Sequence, residues 1–287
     1  MSELNPKQRE AAQFKDGIAA VIAVPGSGKT RTMMERIGIL VTEYGIPPEH
    51  ILGLTFTRNA ADEMRSRLVP VLGDLSSRVR LSTIHSFCLH LLKVEGRVFE
   101  ILSGKEQLVF IKNVMKRLRV KDLTVGTVLR EISLAKNNII DPYEFWALFD
   151  GDKTMMKIAD IYQAYDEAKV NKMLLDFDDL LLEAYYLLRN NDEVRAKYQG
   201  SFHSIMVDEF QDTSRSQWLL LQHLCSGWQA DSGRTLFVVG DPKQSIYAFR
   251  KAEVSLFLEA AKGLPLPGQD PFPLESLQLL ANFRSHP

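Results

Sequence analysis

Hydrophobic and polar positions alternate along this chain in two regimes. Up to about residue 95, short unbroken apolar runs with polar tips are separated by stretches in which apolar residues recur every three or four positions. Residues 18–23, 51–56 and 79–82 are runs of the first kind. Their length and their flanking turn residues predict buried strands. Between them, residues 31–41 set Met33, Met34, Ile37 and Leu40 on one stripe, which predicts an amphipathic helix. The strand-like pattern returns at 204–207, 235–240 and 277–284. From about 96 to 176 only helical periodicity is present, over 107–118, 125–135, 142–149 and 155–170. The fold expected is α/β, a parallel sheet flanked by helices and interrupted by an inserted all-helical subdomain. The expected divisions are 1–95, the insertion at 96–175, 176–264, and a final piece at 265–287. Four prolines and two glycines within 263–273 mark a linker there.

The polar tips carry the candidate chemistry. The first run leads into Ala23-Val24-Pro25-Gly26-Ser27-Gly28-Lys29-Thr30, a glycine-rich turn opening a helix. Such a turn gathers backbone N–H groups on an anion, and the helix dipole adds positive potential, so this is the phosphate cradle of P-loop NTPases. Lys29 reaches β and γ phosphates, and the Thr30 hydroxyl takes one position on Mg²⁺. Ala23 stands where the first glycine usually does, a site that needs only a small residue. At the end of 204–207, Asp208 and Glu209 supply the second half of such a site, one carboxylate for Mg²⁺ and one to polarise water. Phe56, Thr57, Arg58, Thr83, His85 and Ser86 fall at other strand ends, where ligands of such sheets gather. By spacing, Phe56 reads as a core plug ahead of a stacking platform. Tyr247, Phe249 and Arg250 suit base stacking and backbone contact.

Other features admit bland readings. Asn5-Pro6 begins a short helix, on which Gln8 is a solvated residue. The run 105–121 holds six basic residues against one acid, either a solvated face or a phosphate contact. Asp176, Asp178 and Asp179 precede an apolar helix and read as caps rather than as a metal site.

The chain has 287 residues, 45% hydrophobic and 25% charged, which suits a globular protein with a sizeable core. A net charge of -1 points to no partner, so a nucleic-acid surface must be local. No apolar stretch is long enough for a membrane span, and the N-terminus has no signal-peptide core. Cys88 and Cys225 lie in apolar helical patterns and read as reduced thiols of a cytoplasmic protein.

Taken together and in order, these strings closely resemble superfamily 1 helicases of the UvrD/Rep type. The elements are Asn5-Pro6-x-Gln8, AVPGSGKT, LTFTRNAADEM, STIHSF, LDFDDLL, VDEFQDTS, VVGDPKQSIYAFR and LLANFRS. Two of them look more like the helicase-nuclease branch, the RecB and AddA kind. The resemblance implies RecA-like lobes, with 265–287 beginning a second one, and a DNA-stimulated ATPase that steps 3′→5′ along a single strand in repair or recombination. It implies that Gln8 reads adenine between Arg31 and Phe283, and that Gln244 and Arg284 contact the γ-phosphate. It further implies that Phe56, Tyr247 and Phe249 pack on DNA bases, with Arg250 and Thr83 nearby. ATP and Mg²⁺ are the expected cofactors. Single-stranded DNA and its junctions with duplex, with a possible helicase-nuclease subunit, are the expected partners. Without a second lobe the piece is expected to bind nucleotide weakly and not to unwind, its last strand lacking sheet partners. A regulatory module that binds ATP and DNA without unwinding is the alternative.

Overall fold

In the computed structural model, which describes residues 4–229, 231–241 and 274–279, the apolar runs form strands as their pattern predicts. The chain begins with α1 (Pro6–Ala12), β1 (Gly17–Ala23), α2 (Lys29–Thr42), β2 (Ile51–Thr55), α3 (Arg58–Leu72), β3 (Arg80–Thr83) and α4 (Ile84–Val94). A helical stretch follows, with β4 (Glu100–Ile101), α5 (Gly104–Arg117), α6 (Val125–Asn137), α7 (Pro142–Leu148), α8 (Lys153–Val170) and β5 (Leu174–Leu175). Then come α9 (Phe177–Asn190), α10 (Asp192–Ser201), β6 (Ser204–Val207), α11 (Arg215–Cys225), β7 (Thr235–Gly240) and β8 (Leu274–Leu279). Among the described residues no helix is long and apolar enough to cross a membrane.

Six strands make one parallel sheet in the order β3-β2-β6-β7-β1-β8. β1 and β7 are buried along almost their whole length, as expected of strands covered on both faces. Met33, Ile37 and Leu40 of α2 join Val21, Phe237 and Leu68 in the core beside that sheet. Arg36, on the same helix, is fully buried. Its guanidinium donates to the carbonyls of Ala12 (3.2 Å) and Phe14 and to Thr235 Oγ1 (2.9 Å), and it lies 4.7 Å from the Phe237 ring centroid. Burial pushes its pKa down to about 9, so hydrogen bonds and ring faces hold the cation there.

Two expectations are corrected. The insertion is not wholly helical, because Glu100–Ile101 and Leu174–Leu175 pair in parallel near its two ends. Strands of two residues carry no readable period, so the sequence could not announce them. The last strand does not lack partners either. Leu274–Leu279 runs parallel to β1, with Ile18 opposite Leu274 and Ala23 opposite Leu279. A strand beside an open sheet edge satisfies its backbone by joining it, and here Leu277 and Leu279 are buried while Glu275, Ser276 and Gln278 stay exposed. The chain divides into two compact units, 1–87 with 188–213 and 221–287, and 88–187 with 214–220. Three of the four boundaries fall inside α4, α9 and α11, and the fourth, between 213 and 214, lies just before α11.

The second unit has its own core, built on Ile111, Val114, Val128, Ile132, Ile158 and Tyr162. Beside it lies a buried ionic cluster. Lys136 Nζ contacts Asp166 Oδ1 (3.2 Å), Asp176 Oδ2 (3.0 Å) and Asp179 Oδ1 (2.6 Å). Lys169 Nζ contacts Asp166 Oδ1 and Asp176 Oδ2 (2.9 Å each) and Asp179 Oδ2. Asp176 and Asp179 also cap α9 reciprocally, each side chain accepting from the other's backbone N–H at 2.9 and 2.8 Å. The capping expected for these acids is present, and the two lysines beneath them were not foreseen.

Candidate functional site

The site lies where strands of the first unit end. β1 delivers Ala23, fully buried, into the turn, where Gly26 and Gly28 have φ of 75° and 82°. Only glycine adopts that conformation freely. Gly28 stands at the N-cap of α2 and offers no side-chain cap, so the first-turn amides are left for an anion. The buried Ser27 hydroxyl has no hydrogen-bond partner among the described residues. Lys29, Thr30 and Arg31 follow, half-buried, in that first turn.

Gln8 corrects the sequence reading, because it is 2% exposed rather than solvated. Its Oε1 accepts from Asn5 N–H (3.0 Å) while Asn5 Oδ1 accepts from Gln8 N–H (2.8 Å), a capping box that fixes α1. Its Nε2 donates to Ser27 O at 2.9 Å, and a Cβ at Gly28 would stand 2.7 Å from that nitrogen. Gln8 therefore packs directly on the phosphate turn. An amide has two donors and two acceptor positions, so one of each remains for a base.

At the tip of β6, Asp208 N–H donates to Leu54 O at 2.9 Å, extending the ladder to β2. Glu209 follows with φ of 53°, a left-handed conformation that costs energy in a non-glycine residue and tends to mark functional turns. Its N–H donates to Asp208 Oδ1 at 2.9 Å. Burial pushes the Asp208 carboxyl up to about 6; repulsion from Glu209 adds to this, and attraction to Lys29 opposes it. β1 and β6 both run parallel to β7, one on each side, so the glycine-rich turn and the acidic tip lie at the same end of the sheet. These residues fit Mg²⁺: a desolvated carboxylate is stabilised by a cation, and the Thr30 hydroxyl begins the neighbouring helix. Among the described residues no group of three or more His, Cys, Asp or Glu forms a metal cage. A cation at Asp208 would therefore draw its remaining ligands from phosphate and water, as Mg²⁺ commonly does.

The other strand ends are mixed. Phe56 is half-buried after β2, neither sealed in the core nor fully open. Thr57 caps α3, its Oγ1 accepting from Ala60 N–H at 3.1 Å, and Arg58 is exposed. Thr83 is buried and caps α4: its hydroxyl donates to Ser86 Oγ (2.9 Å) and accepts from Ser86 N–H (3.2 Å). Burial holds the His85 imidazole below its usual range, so it is neutral at pH 7. Gln244, Tyr247, Phe249, Arg250, Phe283, Arg284 and the linker lie outside the described residues.

One contact escaped the sequence. The buried Gln211 accepts from Asp241 N–H at 3.0 Å, tying the turn after Glu209 to the end of β7. Both residues sit in strings that the sequence singled out, but nothing in a linear reading pairs them.

The UvrD/REP helicase N-terminal domain model matches residues 4–265. The ATP-dependent DNA helicase PcrA of Bacillus subtilis is 37% identical over 273 residues, covering 92% of this chain and 36% of that protein. PcrA of Staphylococcus aureus is 33% identical over 273 residues, with 92% and 37% covered. PcrA of Leuconostoc citreum is 33% identical over 271 residues, with 91% and 35% covered. The chain spans about a third of the length of these curated relatives.

Proposed function

This chain belongs to the UvrD/REP helicase family, and on that premise we propose that it is the first motor portion of an ATP-dependent DNA helicase. The observation that carries the reading is the pairing of an uncapped, glycine-rich helix N-terminus after β1 with an acidic tip after β6, at the same end of a parallel sheet in which only β7 separates the two strands. In this reading the α2 amides and Lys29 hold the β and γ phosphates of ATP. Thr30 and Asp208 hold Mg²⁺, which when bound neutralises phosphate charge during transfer. Glu209 accepts a proton from the attacking water. Gln8, with Arg31 and Phe283, takes the adenine, and Gln244 and Arg284 complete the γ-phosphate contacts. Phe56, Thr57, Arg58, Thr83, His85, Tyr247, Phe249 and Arg250 face single-stranded DNA. Stepping, 3′→5′ polarity, unwinding at junctions and a role in repair or recombination belong to the longer protein, with or without a nuclease partner.

The test is nucleotide binding and single-turnover hydrolysis with saturating single-stranded DNA. Lys29→Ala should abolish tight triphosphate binding, because it removes a contact made in the ground state. Glu209→Gln should keep binding and lose hydrolysis. Unchanged turnover in Glu209→Gln would refute the assignment of the base.

A further inference from the structure

The helical unit carries a cavity that the motor reading leaves unused. It has a volume of about 420 Å³ and opens between the start of α7 and the end of α8, lined by Tyr143, Gln163, Asp166, Glu167 and Val170 among others. Tyr143 is 72% and Val170 74% exposed, and Trp146 and Leu148 add further exposed apolar surface on α7. Singly exposed apolar residues are ordinary, but Tyr143 and Val170 on the wall of a cavity that also holds two carboxylates give the composition of a recognition surface.

The charge of that wall has a source inside the unit. In the ionic cluster two ammoniums, Lys136 and Lys169, face three carboxylates, Asp166, Asp176 and Asp179. Asp179 takes both ammoniums and the Asp176 N–H. By formal charge the three carboxylates outnumber the two ammoniums by one. The side chains of Lys136, Lys169 and Asp176 are nearly sealed, whereas Asp166 is 31% exposed and lines the cavity. Asp166 is thus the member of the cluster that reaches the cavity wall, while its Oδ1 stays paired with both lysines. Glu167 adds a second carboxylate, held by Gln163 Nε2 at 3.0 Å, and the same nitrogen lies 3.4 Å from the Tyr143 hydroxyl. No lysine or arginine lines the cavity.

We propose that this cavity is a docking pocket for a cationic side chain, arginine foremost, presented by a partner protein on a segment with apolar neighbours. Two carboxylates repel a phosphate backbone, which sets this surface apart from those that would meet DNA. A planar guanidinium satisfies carboxylates in a fork and stacks on an aromatic face, so it matches Asp166, Glu167 and Tyr143 better than an ammonium does. The exposed Val170 on the wall suits an apolar neighbour.

The experiment titrates the whole chain with a fluorescein-labelled peptide, Ser-Leu-Arg-Trp-Ser, read by anisotropy. The control peptide carries citrulline, which keeps the shape of arginine and loses its charge. The arginine peptide should bind saturably, and citrulline should cost about tenfold or more in affinity. Asp166→Asn should cost a similar factor. It removes the Asp166 carboxylate from the wall and leaves both lysines paired with Asp176 and Asp179, so the unit should stay folded, which a melting curve checks. Tyr143→Ala and Glu167→Gln alter exposed side chains and give the same reading independently. Equal binding of the two peptides, no saturable binding, or full binding by a folded Asp166→Asn overturns the proposal. So does displacement of the peptide by single-stranded DNA. Self-association of the chain that Asp166→Asn abolishes would make a second copy the occupant and would likewise overturn it.

Discussion

Replacing Gln8 by glutamate separates two jobs that this side chain performs at once. Its Oε1 closes the capping box of α1, and its Nε2 holds the Ser27 carbonyl. Glutamate is as good as glutamine in a capping box, so Gln8→Glu should leave α1 intact. It removes the only donor on that side chain, however, and sets a carboxylate against a buried carbonyl 2.9 Å away in the present structure. A lost neutral hydrogen bond costs about 1 kcal/mol, and an unsatisfied buried carbonyl about 1–3 kcal/mol more. If that falls on the phosphate-binding conformation of the turn, affinity drops by roughly 30- to 1,000-fold. The drop should apply to inorganic tripolyphosphate as well as to ATP, because what is weakened is the turn rather than a base contact. Once protonated, the introduced carboxyl regains an O–H donor. The deficit relative to wild type at the same pH should therefore shrink as pH falls below about 6. Isothermal titration at two pH values with both ligands decides the matter. Wild-type affinity for tripolyphosphate in Gln8→Glu at neutral pH would refute the brace. A loss confined to ATP would leave Gln8 as a base reader only.

The remaining predictions use other parts of the chain. Asp208 has its folded pKa raised to about 6 above an ordinary value of 3.8, so its ionisation opposes folding and the penalty grows as pH rises between those values. Asp208→Asn should raise the melting temperature of the metal-free protein at pH 7.5 but not at pH 4, and wild-type affinity for Mg-ADP should rise with pH through 6; the two are checked by melting curves and titration. Lys136→Met leaves buried carboxylates uncompensated and should destabilise the helical unit by about 3–5 kcal/mol, measured by denaturant unfolding. Phe56→Ala should weaken single-strand binding by roughly 1–3 kcal/mol with little sequence preference, measured by anisotropy with oligonucleotides of different composition. Charge reversal at Lys112 and Lys116, both exposed on α5, should lower the salt dependence of DNA binding if that face meets phosphate; an unchanged slope would make it merely solvated.

Much of the site was legible in the sequence because its parts are local. The glycine-rich turn, the acids after 204–207 and the Asn5 cap each specify their geometry within a few residues, through strand length, glycine dihedrals and capping chemistry. The order of strands and helices likewise named a parallel α/β sheet with a helical insertion. What tertiary structure decided is a matter of partners far apart in the chain. Gln8 looks solvated on its own helix and is buried only because the turn at Ser27 and Gly28 packs on it. Leu274–Leu279 has the pattern of a strand, but only the open edge of β1 says where it pairs. The acids at 176–179 are recognisable as caps, whereas Lys136 and Lys169 reach them from two other helices. Residue type sets what a side chain can bond to. Long-range packing sets which partner it meets and whether water is there to compete, and those two facts fix the pKa of Asp208, the pairing of Asp166 with two lysines and the burial of Arg36.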